Sequence, residues 1–225
     1  MPTGEVTSYI RQKMEGLINK NNNFMDKTVF FRAFEDEDAE YVYNWMNDDE
    51  LKEMSVGLNR RVCKEEVREW INARKRHNPY QAWFAICSKE TNEIIGYMSL
   101  TDIHYINSSA NFSGIIIGDS KYRDGRAYLE SYLFVFEYVF ERLNLNRLYG
   151  SAISEHKLSI IMAEVMYQKT EGILRQAIFK NGVFYDQIIS AILKDEYFEH
   201  KHNGDFELTA IINRVLLLKR SKRNK

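Results

Sequence analysis

An α/β fold on a mixed sheet is what this sequence predicts, on three observations. Strand-like apolar runs alternate with segments of helical periodicity, in the order strand, two helices, three strands, helix, strand, helix, two strands. The stretch 111–118 is apolar on both faces at its end, at Ile115, Ile116 and Ile117, as a central strand must be. Asn181-Gly182 stands between two further strand-like runs and is the dipeptide best suited to turn a tight hairpin.

Taken in order, residues 5–20 place Val6, Tyr9, Ile10, Met14, Leu17 and Ile18 at helical spacing, and residues 1–26 read as an N-terminal helical extension. A β-rich run follows at 28–34, and Asp36 is placed to cap a helix with Ala39, Val42, Tyr43 and Met46 on one face, stopped by Asn47-Asp48-Asp49. Residues 64–74 gather Val67, Trp70 and Ile71 on a second helix. Strands are expected at 82–88 and 93–100, joined by the polar loop 89–92, and then at 111–118. The most apolar helix, 128–143, carries Leu129, Tyr132, Leu133, Phe136, Val139, Phe140 and Leu143, so it must pack on more than one side. A short strand at 147–153, a helix at 157–168 and the hairpin strands 172–179 and 183–193 complete the domain. A polar spacer at 200–204 separates the last apolar-periodic segment, 206–218, from a basic tail. The expected division is therefore 1–26, 27–199 and 200–225.

Composition narrows the function classes. With 225 residues, 44% hydrophobic and 28% charged, the chain buries a core and is not disordered by composition. Net charge is −1, which excludes a generally basic nucleic-acid binder, so no DNA partner is expected. Five of the 31 basic residues lie in the last seven positions, leaving 26 against 32 acids before them. Two cysteines and no N-terminal apolar run exclude a disulfide framework and a secretory signal. No stretch approaches the roughly 18 uninterrupted apolar residues of a membrane span, so a soluble, cytoplasmic protein is expected. Cys63 and Cys87 read as buried thiols, and His200-Lys201-His202 has no cysteine pair to make a metal site, so none is expected.

Several local patterns together resemble the GNAT acyltransferase superfamily. They are Phe31-Arg32-Ala33-Phe34-Glu35-Asp36-Glu37-Asp38-Ala39, Gly96-Tyr97-Met98-Ser99-Leu100, Phe112-Ser113-Gly114-Ile115-Ile116-Ile117-Gly118-Asp119, and Glu171-Gly172-Ile173-Leu174-Arg175 through to Asp186. The closing segment is similar to the branch that acetylates ribosomal-protein N-termini, amino-sugar nucleotides and small amines, and 100–119 leans toward the amino-sugar members. The resemblance covers about residues 28–198. It implies a sheet of about six to seven strands splayed between two central strands, here 111–118 and 147–153, with flanking helices. It also implies acetyl-CoA as co-substrate, its pantetheine paired with the exposed edge of the first strand at Ile115 and Ile117. Its pyrophosphate would sit on backbone N–H groups where that strand turns into the long helix, at Arg123, Asp124, Gly125, Arg126 and Ala127.

Two departures from the family pattern bear on the chemistry. The family writes the turn as Gln/Arg-x-x-Gly-x-Gly/Ala, so that no Cβ blocks the phosphate. One register here keeps Arg123 and Glu130 in place but sets Asp124, Arg126 and Tyr128 among the small positions. The other makes Gly125 and Ala127 the small pair and loses the Gln/Arg to Tyr122. Farther on, the helix pattern aligned back from Glu171-Gly172 becomes His156, Ser159, Ala163, Tyr167 and Gln168. Ala163 then stands where the family has its thiolate-protonating tyrosine. The resemblance leaves His156 and Tyr167 as the candidate catalytic residues, His156 because an imidazole titrates near neutral pH.

Together these features imply an acyl-CoA-dependent N-acetyltransferase acting on a small amine, with an amino-sugar nucleotide the favoured acceptor. The alternative is a GNAT-fold binding or assembly protein that has lost catalysis. Asp102, Asp119 and Asp186 are candidate amine-facing carboxylates, and the extra ends favour a homodimer.

Overall fold

The computed structural model describes residues 27–54 and 60–222, so the helix expected at 5–20 and the end of the basic tail lie outside the described residues. Seven strands form one sheet in the order β1-β2-β3-β4-β5-β7-β6. They are β1 (Val29–Arg32), β2 (Ala82–Ser88), β3 (Ile94–His104), β4 (Ser109–Ile117), β5 (Arg147–Ile153), β6 (Lys169–Lys180) and β7 (Val183–Leu193). Neighbours are antiparallel except β4 and β5, which run parallel, so the sheet is mixed as expected. The β6–β7 turn is made by Asn181 (φ 50°) and Gly182 (φ 81°), both left-handed, as a two-residue hairpin loop of this sequence requires.

The helices are α1 (Ala39–Met46), α2 (Asp49–Met54), α3 (Lys64–Lys75), α4 (Arg126–Glu137), α5 (Lys157–Val165), α6 (Lys194–His202) and α7 (Leu208–Lys222). On one face of the sheet, Val42, Trp45, Leu51, Val67 and Ile71 from α1, α2 and α3 pack with Phe34, Ala85 and Ile94. On the other, α4 buries Leu129, Tyr132, Val135 and Phe136 against Met98, Ala110, Ile117 and Leu148. Burial on nearly every side explains why α4 carries apolar residues around most of its circumference; it ends in a π turn over Tyr138–Arg142.

Two elements depart from expectation. The helix stops at Asn47-Asp48 as expected, but Asp49 begins a short helix, α2, that was not expected, because the Asp48 side chain accepts from Leu51 N–H (3.0 Å). The spacer expected at 200–204 is largely helix, since α6 runs to His202 with Glu196 bonding back to the Leu193 N–H (2.9 Å). Beyond it α7 seats Ile211, Ile212 and Val215 in the main core, so the C-terminal segment is integral to the packing.

Candidate active site

β4 and β5 pair only from Ser109↔Arg147 to Phe112↔Gly150. Beyond that point β4 keeps its bonds to β3 and β5 keeps its bonds to β7, and the two central strands part. The divergence begins at a bulge, where Ser99 pairs Gly114 and Leu100 pairs Phe112, leaving Ser113 unmatched. Gly114 has φ 125°, a conformation that side-chain-bearing residues rarely adopt, and both it and Ser113 are exposed. Backbone from Ser113 to Ile117 thus forms one wall of an open wedge with no strand opposite, a ready partner for an extended amide-bearing chain. Ile115 and Ile117 turn their side chains into the α4 core, so only their main chain borders the wedge.

The turn into α4 starts at the end of β4. Gly125 (φ 102°) is its left-handed pivot and N-cap, and Ala127 is buried in the first helical turn. The two arginines expected as phosphate ligands are both engaged inside the fold. Arg123 donates to the carbonyls of Ile117 (3.0 Å) and Gly118 (2.7 Å) and pairs with Glu50 (2.9 Å). Arg126 folds back on Glu130 (2.9 Å), both nearly inaccessible, and the Glu130 carboxylate also accepts from the N–H groups of Thr28 (2.8 Å) and Val29 (3.1 Å). Asp124 accepts from the Arg126 N–H at 3.0 Å. Tyr128 lies against Tyr132 with the α4 core around it, and burial pushes its phenol above the usual range.

α2 bridges the two sides of this region. Glu50 meets Arg123 of the turn, while Glu53 accepts from Asn181 Nδ2 (3.2 Å) at the hairpin tip and its carbonyl accepts from Lys180 Nζ (2.5 Å). Neither contact has a sequence signal, because the partners are more than 70 positions apart.

His156 comes three residues after β5 ends at Ile153, on the side where β4 and β5 have parted, and is the N-cap of α5. Its Nδ1 lies 2.6 Å from Ser159 Oγ. Burial, then the nearby Lys180 charge, hold its pKa below the ordinary histidine value, so the imidazole is neutral at pH 7. Ala163 is on the same helix and offers no proton. Tyr167 lies past the far end of α5, roughly 14 Å of helix from His156. Its ring stacks on His200 (3.6 Å) and is covered by Arg214 (4.3 Å). Its φ of 59° is left-handed, a conformation that a bulky side chain rarely adopts. The two candidate catalytic residues are therefore not brought together.

Of the three candidate carboxylates, Asp119 caps the Lys121 N–H (2.9 Å) and Asp186 accepts from Gln176 N–H (2.8 Å) at the β6 bulge. Asp102 lies at the bulged end of β3 in a polar group the sequence did not single out. There Thr101 Oγ1 is 2.7 Å from Ser113 Oγ, accepts from Asn111 Nδ2 (3.1 Å) and donates to Asp102 (3.4 Å). Burial first, then the Asp102 charge, raise the Tyr149 phenol on the neighbouring strand. Cys87 is buried as expected, its thiol pushed up to about 11 by desolvation, but Cys63 is exposed because it caps α3 at the surface. Among the described residues no helix is long and apolar enough to cross a membrane.

Comparison with known proteins places this geometry. The model of a family described as an acetyltransferase (GNAT) domain matches residues 28–165. The spermidine N(1)-acetyltransferase of Vibrio cholerae is 25% identical over 174 residues, 77% of this chain and 97% of the relative. An uncharacterized N-acetyltransferase, p20, of Bacillus licheniformis is 29% identical over 168 residues, 74% of this chain and 93% of the relative. The crystal structure of spermidine N-acetyltransferase from Vibrio cholerae in complex with CoA and spermine superposes with a TM-score of 0.66 at 25% identity, covering 77% of this chain and 99% of that one.

Proposed function

This chain belongs to the GNAT acetyltransferase family, whose members take their acetyl group from acetyl-CoA, and on that premise we propose that it acetylates a primary amine of a small aliphatic polyamine. The observation that carries the donor side is the open wedge between β4 and β5 beyond Phe112↔Gly150. Its wall is bare main chain with exposed Ser113 and Gly114, so a pantetheine arm fits there as an added strand. When bound, acetyl-CoA supplies an activated acetyl thioester.

The chain's own groups then divide the work. The main chain of residues 113–117 holds and orients the donor arm. His156, neutral and tethered to Ser159, is in the protonation state needed to accept a proton from an ammonium arriving at the wedge. Tyr167, spent on His200 and Arg214, packs the C-terminal helices. Asp102, at the next β3–β4 irregularity and bonded by the Thr101 that also meets Ser113 and Asn111, supplies a negative charge for a cationic acceptor.

The acceptor class rests on that charge and on the Vibrio cholerae relative's named substrate, spermidine. An amino-sugar nucleotide, expected from residues 100–119, brings its own diphosphate toward Asp102 and toward the acids of α2, where Arg123 is already held by Glu50 and two backbone carbonyls. The inactive-scaffold alternative finds no support in the family match. Thiol release from acetyl-CoA, followed with purified full chain against spermidine, spermine, putrescine and amino-sugar nucleotides, tests the proposal. Turnover with the polyamines is expected; turnover with amino-sugar nucleotides alone, or with none of them, overturns it.

A further inference from the structure

We infer that Asp124 is a built-in competitor for the donor's diphosphate, and that it sets how tightly this chain holds CoA. The inference rests on the wedge being the acetyl-CoA site. A helix start presents unpaired N–H groups and a partial positive charge, which favour an anion. At α4 that position already has one: the Asp124 carboxylate accepts from the Arg126 N–H at 3.0 Å. It stands one residue before the Gly125 pivot, whose lack of a side chain leaves the helix without any cap of its own.

The surrounding cations do not offset it. The Arg123 guanidinium is held by two backbone carbonyls and Glu50, and Arg126 by Glu130. Among the described residues of the turn, Lys121 is the remaining basic side chain, and it is exposed. A diphosphate approaching the turn therefore meets a fixed negative charge on the N–H it needs, with both guanidiniums committed elsewhere. Binding requires the Asp124 side chain to rotate away and surrender its bond. The pantetheine arm, by contrast, lies along β4 and feels none of this, so the penalty falls on the phosphate-bearing end of the donor alone.

The test is isothermal titration of the full chain with CoA and, separately, with pantetheine, which has the same arm and no phosphate. Asp124→Asn keeps an acceptor oxygen for the Arg126 N–H and removes the charge; Asp124→Gly removes both. Asp124→Asn is expected to tighten CoA about tenfold, the order of a like-charge contact at about 4 Å screened as in water, with pantetheine affinity and the melting temperature unchanged. The gain should shrink at high salt. Asp124→Gly should tighten CoA at least as much, and if it loses the helix start the Asn variant still decides the matter. Unchanged or weaker CoA binding in Asp124→Asn overturns the inference and leaves the carboxylate a helix cap only. If neither ligand binds the unmodified chain or either variant, the acetyl-CoA reading of the wedge falls with it.

Discussion

The open edge of β4 and the turn that follows it are adjacent in sequence and built on opposite principles. The edge is a site made of backbone: its side chains, Ile115 and Ile117, serve the core, and any apolar residue of similar shape would leave the wedge intact. The turn is rich in charge, yet its charged side chains serve the fold. Arg123 fastens the end of β4, and Arg126 with Glu130 fastens the start of β1. A guanidinium beside a candidate phosphate site goes to the strongest acceptor within reach, and here that acceptor is protein.

Breaking the turn should therefore cost stability first. In Glu130→Gln the buried Arg126 loses its carboxylate, and the Thr28 and Val29 N–H groups lose a charged acceptor. Removing one partner of a buried pair costs about 3–5 kcal/mol, so urea unfolding should show a loss in that range. A loss below about 1 kcal/mol would mean the network is not what anchors β1.

The wedge side should lose rate before stability. His156→Gln is expected to lower kcat by about 10²-fold, the lower end of what proton transfer contributes, with CoA affinity unchanged by titration calorimetry. The histidine also leaves a mark on stability. Its folded pKa lies below its unfolded value of 6.5, so in the window between the two only the unfolded chain binds the proton. Stability is then fully present above pH 6.5 and falls as pH drops through that window. The Gln variant should lose that slope in melts recorded between pH 5 and 7.5; an unaltered slope assigns it elsewhere.

Gly114→Ala sharpens the contrast from the other direction. Nothing lies within 4 Å of the added methyl, so its cost is the strain of φ 125° alone, about 1–3 kcal/mol. If the bulge is what opens the wedge, pantetheine affinity should fall by more than the stability loss explains. Equal affinity would make Gly114 a turn residue without a part in the site.

Much of the sheet was legible because its signals are local. The 115–117 apolar run, the Asn181-Gly182 turn and the periodicity of α4 each depend on neighbours a few positions apart, and each element stands where it was expected. α2 and α6 were not legible, since Asp49–Met54 and Lys194–His202 are short, polar helices held by caps and long-range contacts rather than by an apolar stripe. The site divides the same way. The backbone wedge was an expectation of the family resemblance, whereas the fates of Arg123 and Tyr167 were decided by Ile117, Gly118, Glu50, His200 and Arg214, none of which announces itself as a partner, and Arg126 went to Glu130 one helical turn on. Family resemblance supplied the types of residue to look for, and tertiary packing reassigned them.

The mildest substitution examines whether α2 is brace or binding wall. Glu50 is 73% exposed and Arg123 16%, and an ion pair with one wet partner is worth at most about 1 kcal/mol. In Glu50→Gln the Arg123 bonds to the Ile117 and Gly118 carbonyls remain, and the buried Leu51 still anchors α2. Stability should drop by less than about 0.5 kcal/mol, and CoA affinity should stay within about twofold, a span that corresponds to the same energy. A larger change in CoA affinity with no change in the melting temperature would give α2 a direct part in holding the donor, because a brace that is not needed for stability has no other route to the turn than through the ligand it contacts.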